Sequence, residues 1–373
     1  MSWNCKCALV APGLGGVWAC LLALPGLLWA QTEPSDARNW RSANEAVGQF
    51  PRGHADVLKW EQRQPTLPLV GQSEPVPDGL ALPTPEAAVR QAWKAHRDLA
   101  FVVARLGAAH TNRVAAGLWL ELPPQLVRRV HGLDELLAVA VQARKGWLEA
   151  VAARHVLKHH QTAFEAAEAA QELGQRMLAV GNWSQLQHAQ TQLAHAGAKI
   201  NLQRARYAAA QAQASLIKLL GVSGVYSALN LPSNLPDLPQ VVLSPAQVSE
   251  RMAALQTQLP RAEAMQNQAL TPLAFQAYQA SHAIAVTSAQ GVLQTRERIT
   301  AETVLHYNGM LKSVWDLLSE TRNQAQAAAD AVNAQRDFAL AETDLHWVLL
   351  GGQPQRFINL GAGGADAAAT AAH

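Results

Sequence analysis

Cysteine is nearly missing from this chain. The three among its 373 residues, Cys5, Cys7 and Cys20, all sit close to the N-terminus. Everything beyond them is without disulfides or thiol chemistry. Formal net charge is only +2 and no basic run stands out, which excludes a nucleic-acid surface. There is no nucleophile elbow, zincin helix or Walker loop, and glycine clusters only at the two ends. Carboxylate pairs such as Glu165 and Glu168 read as a solvated helix face. With no convergent polar constellation the chain is not an enzyme, and it calls for no cofactor. Proline, finally, is absent between Gly132 and Gly181 and again between Ser184 and Gly221. That absence is the first sign of long helices.

What is present begins with an export signal over residues 1–30. Lys6 supplies the positive start, 17–29 is apolar, and Ala30-Gln31 is a plausible cleavage point. A lipoprotein reading through Val17-Trp18-Ala19-Cys20 competes with it. Residues 31–83 carry short helical patches around Trp40 and around Trp60, then a proline-rich extended stretch from 65 to 85.

Thr84-Pro85-Glu86 is a helix start: a cap, a proline in the first turn and an acid near the positive end. The sequence predicts one helix from there to Leu118, bent at Gly107 and ended by Pro123-Pro124. Asp134 is the expected cap of a long arm that stops at Val180-Gly181-Asn182-Trp183-Ser184. Ser184 caps a second arm, and Gly221 closes it in a left-handed position. At ~1.5 Å per residue these arms are roughly 65–70 Å and 55 Å long, far beyond ordinary globular helices. Two such helices joined by so short a turn must lie antiparallel.

Residues 222–245 form a linker with Pro232, Pro236, Pro239 and Pro245, and 246–352 repeat the pattern of 84–221. Pro260 and Pro272 are expected interruptions and Gly291 a soft spot. The second turn is Tyr307-Asn308-Gly309-Met310-Leu311-Lys312-Ser313, and the closing arm ends at Leu349-Leu350-Gly351. Gly181 and Gly309 stand 128 apart while Gly221 and Gly351 stand 130 apart, so the repeat is not gapless. The Gly/Ala tail, 353–373, is expected to be disordered. The fold class is all-α, built from two long antiparallel coiled-coil hairpins. Alanines such as Ala205, Ala208, Ala325 and Ala329 let helices approach closely. So thin a protomer points to oligomerisation.

Duplicated hairpins, an export signal, a proline-rich mature start and the paired turns resemble the TolC-like outer-membrane efflux proteins. The resemblance spans roughly residues 84–352. It implies a homotrimeric helical duct, and it implies that the turns meet the hairpin of a periplasmic adaptor linked to an inner-membrane pump. On that resemblance the docking residues are Gly181, Asn182, Trp183, Ser184, Asn308, Gly309, Met310, Leu311 and Ser313. An exposed Trp183 and the Met310-Leu311 pair are more than a turn needs. The family also inserts two membrane-spanning strands in each repeat. A spanning strand needs ~9–11 residues, and 118–133 is too rich in proline and arginine to supply one. The barrel strands are therefore absent or very short. That leaves outer membrane or soluble periplasm open as the location, and a periplasmic scaffold or metal-binding protein without a pore as the alternative function. Histidine is the one metal signal: His155 and His159 are four apart on a helix, with surface hydration as the simpler reading.

Overall fold

The computed structural model describes residues 79–360. The export signal, Cys20, the helical patches of 31–62 and residues 361–373 of the tail lie outside the described residues. The elements in order are β1 (Gly79–Ala81), α1 (Pro85–Ala95), α2 (Ala100–Leu106), α3 (Ala108–Ala116), α4 (Leu126–Arg129), α5 (Leu133–Ala179), α6 (Gln185–Leu219), β2 (Ala228–Asn230), α7 (Pro245–Gln256), α8 (Arg261–Val286), a π-helical segment (Thr287–Leu293), α9 (Gln294–Asn308) and α10 (Val314–Val348). The chain is all-α in architecture, with two long hairpins as expected. One is α5/α6; in the other α8, the π segment and α9 form one arm and α10 the second.

The helices lie side by side: α6 against α5, α5 against α10, and α10 against the α8–α9 arm. Three-residue β1 and β2 pair in parallel, Gly79 opposite Ala228. They are far shorter than a membrane span requires, and no described helix is long and apolar enough to cross a membrane. Residues 118–133 hold a short 3-10 turn and α4 rather than a strand.

Local chemistry explains most boundaries. Thr84 accepts from the Ala87 N–H and Pro85 opens α1. Ser184, Ser244 and Ser313 each close a reciprocal capping box, with Gln187, Gln247 and Asp316. Gly221 and Gly351 end α6 and α10 with φ of 64° and 92°. Three expectations are corrected and a fourth is sharpened. Asp134 does not cap α5; Gly132, at φ 83°, precedes the helix and Asp134 lies inside its first turn. The helix predicted from 84 to 118 is broken at His96 and at Gly107, whose φ of 78° no α-helix continues through. Pro260 does stand at a break, directly before α8, but α8 runs through Pro272. It is held there because Asn267 donates 2.7 Å to the Val348 carbonyl at the end of α10, and Tyr278 packs on Phe338. The soft spot at Gly291 is real and takes the form of the π segment.

The core is concentrated at one end. There the indole N–H groups of Trp93, Trp119 and Trp147 donate to the carbonyls of Leu136, Val114 and Leu82, tying the short segments to one another and to α5. Lys145 on α5 pairs with Asp344 on α10, whose carboxylate is buried. Nearer the turns the buried residues are mostly alanine, such as Ala163, Ala166 and Ala167 on α5 and Ala325, Ala327 and Ala329 on α10. The hairpins thus leave a broad core at one end and continue on close alanine packing toward their turns.

Candidate functional site

The two turns share one end of the molecule. Trp183 of the first and Trp315, at the start of α10, have ring centroids 4.1 Å apart. In the first turn Gly181 is left-handed (φ 78°), its N–H donates to Leu178 O, and the Asn182 N–H donates to Met177 O. In the second, Met310 is left-handed (φ 59°), its N–H donates to Tyr307 O, and the Leu311 N–H donates to His306 O. The same pattern recurs 129 residues on, and so do the capping serines, 184 and 313. The counterpart of Gly181 is therefore Met310 and not Gly309. Gly309 is the residue before it, with an ordinary φ of −82°, and Asn308 ends α9. Matching glycine to glycine slips the repeat by one.

Trp183 is not the exposed side chain the sequence suggests. It is half-buried, lying across Gly174 of α5, where an added Cβ would stand 2.9 Å from the ring. Gly174 is the site residue that sequence reasoning missed; inside a long helix it reads only as a weak point. With Trp315, Trp183 closes a groove of about 430 Å³ between the hairpins, also lined by Ala170, Thr191 and Arg322. What the turns expose is Met310 and Leu311, 92% and 77% accessible, together with Val180 and Leu186 beside the first turn. Ser184 and Ser313 are exposed but occupied as caps. Asp316 is held below the usual carboxylate range by hydrogen bonds from the hydroxyl and N–H of Ser313.

His155 and His159 are brought together, ring centroids 4.8 Å apart. They are half-buried rather than hydrated surface residues. Burial lowers both pKa values, that of His159 to about 4, so both are neutral at pH 7. Among the described residues no group of three or more His, Cys, Asp or Glu side chains is placed to hold a metal.

No family model and no curated protein sequence matches this chain. Among solved structures it is similar to the CmeC outer membrane channel of Campylobacter jejuni, at 14% identity over 73% of this chain and 69% of that one, TM-score 0.44. It is also similar to the outer-membrane channel OprN, at 13% identity over 72% and 90%, TM-score 0.45. A third is CusC, at 12% identity over 72% and 74%, TM-score 0.40.

Proposed function

We propose that this chain is the exported, duct-forming component of a tripartite efflux system, that it works as a homotrimer, and that its paired turns dock a periplasmic adaptor serving an inner-membrane pump. The observation that carries the reading is the apolar end. Val180, Leu186, Met310 and Leu311 are all exposed on or beside the two turns, at the same end of the hairpins, and clustered exposed apolar side chains mark partner surfaces. The resemblance of the turn sequences to TolC-like proteins supports a periplasmic adaptor as the partner.

Oligomerisation has its own support. Leu186, Leu193, Ile200 and Tyr207 recur every seven residues along α6 and are each more than half exposed. A stripe with that period is a coiled-coil seam without its second helix. On the other edge Val292 and Ile299, seven apart, are exposed along the α8–α9 arm. Joining the two edges of successive copies would cover both stripes.

Met310→Asp combined with Leu311→Asp is expected to abolish co-purification of the adaptor while leaving circular dichroism unchanged. Full retention of the adaptor refutes docking at the turns. A second reading, a periplasmic scaffold without a pore, is favoured by the three-residue strands. Cell fractionation and sedimentation separate the two: a trimer recovered from outer membrane with detergent supports the duct, and a soluble monomer supports the scaffold.

A further inference from the structure

The second hairpin carries an irregularity that the first lacks. Its leading arm runs through α8, the π segment and α9, of 26, 7 and 15 residues. That is one residue more than the 47 of α5. A π segment closes i→i+5 bonds, so it is the natural place to absorb a single extra residue, and such segments gather at functional sites. Its effect here is directional. Residues four apart in an α-helix advance about 40° past a full turn, whereas at about 4.4 residues per turn they fall about 33° short. Mixing the two conformations cancels the drift. Ala285, Ala289, Leu293 and Glu297, each four from the last, consequently all line one groove.

That groove has a volume of about 560 Å³, within the ~300–1,000 Å³ of small-molecule sites. Its floor is the alanine face of α10, including Ala325 and Ala328, and its far wall on α5 carries His155 and His159. Asp237 and Leu238 of the linker complete the lining. The linker is pinned there by Gln335, whose Nε2 donates 2.7 Å to the Pro236 carbonyl. The formal charges among the lining residues are two carboxylates, Asp237 and Glu297, with no lysine or arginine. Burial keeps the two imidazoles neutral at pH 7. Lys158, the cation acting on those imidazoles, is exposed and is not part of the lining.

We propose that this groove binds a hydrophobic organic cation, its apolar body over the alanine floor and Leu293, its ring against the paired imidazoles, and its charge met by Asp237 and Glu297. The proposal does not depend on the duct reading and stands if that reading fails. Fluorescence anisotropy of rhodamine 6G with the full chain at low salt tests it, with fluorescein as the anionic control. The expected result is saturable binding of one rhodamine per chain and none of fluorescein. Both carboxylates are solvent-exposed, so Glu297→Gln and Asp237→Asn should each weaken it about threefold, and the double variant about tenfold, the scale of exposed charge pairs. Ala328→Phe, which fills the floor, should abolish binding with helical content unchanged. Equal binding of fluorescein, or undiminished binding of rhodamine to the double carboxylate variant, overturns the proposal. So does an absence of rhodamine binding, and in that case Zn²⁺ binding lost in His155→Ala would reassign the groove to a metal.

Discussion

The two hairpins are the same device built with different tolerances. In the first, α5 is continuous for 47 residues, glycine takes the left-handed turn position, and Trp183 folds back over Gly174. In the second, the leading arm is broken by a π segment, methionine takes that position, and Met310 and Leu311 project into solvent. A left-handed methionine costs about 1–2 kcal/mol that glycine would not, with a glycine one residue away. The contrast teaches that the first hairpin is the more regular scaffold, and that the second keeps local strain at its turn and an irregularity at its groove. Strain of this kind gathers at sites that do something.

The largest effect is expected from the bond between the hairpins. Lys145 is the partner of Asp344, whose side chain is 1% exposed. Burial pushes that carboxyl up in pKa, and Lys145 opposes the shift. Lys145→Ala leaves a buried carboxylate without its cation and should cost about 3 kcal/mol in urea unfolding. Replacing both together, Lys145→Met with Asp344→Leu, should recover most of the loss, because an apolar pair of similar size needs no charge compensation. If the single variant unfolds like wild type, the ion pair does not hold the hairpins together and side-chain packing does.

A smaller and sharper test exchanges the turns' own residues. Met310→Gly should stabilise the chain by about 1 kcal/mol, since the left-handed strain disappears and a 92% exposed side chain gives up little burial. Gly181→Ala should destabilise by a similar amount. Thermal unfolding of the two variants should therefore move in opposite directions. Movement in the same direction would mean that the two turns are not equivalent positions of one repeat.

The legibility of this molecule in its sequence follows the range of the interactions. Caps, left-handed glycines and long proline-free arms are decided within a few residues, so the Ser184 cap, Gly221 and a soft spot at Gly291 could be anticipated, though not its π-helical form. The break at Gly107 could be located but not its severity, because a glycine permits a positive φ without requiring one. Pro272 misled for the opposite reason: its local penalty is outweighed by distant anchors, Asn267 to Val348 and Tyr278 on Phe338. At the turns the residues themselves were visible as a motif. The one-residue offset was not, because glycine draws the eye to the wrong match and only the hydrogen bonds correct it. The contact of Trp183 with Trp315 joins residues 132 apart in sequence and leaves no local signature. Nor does the groove, which depends on four segments and on a helix that is not α throughout.

The finest difference between the hairpins is the chemistry of their caps. Ser184 is closed by the neutral amide of Gln187, and Ser313 by the carboxylate of Asp316. The Asp316 pKa is depressed below its ordinary 3.8 by the Ser313 hydroxyl and N–H. A depressed carboxylate contributes stability that is complete above its unfolded value and is lost as pH falls through the lower folded value. Acidification below about pH 4 should accordingly loosen the second turn while the first keeps its cap. Because Asp316 is fully exposed the effect is local, and it is best read as hydrogen exchange in peptides covering residues 305–320 and 176–191. Protection should fall in the 305–320 peptide only, and Asp316→Asn should flatten its pH dependence. Gln187→Asp should transfer the same acid sensitivity to the first turn. If both wild-type turns open together as pH falls, the cause is the Lys145–Asp344 seam or another shared group, and the caps do not distinguish the hairpins.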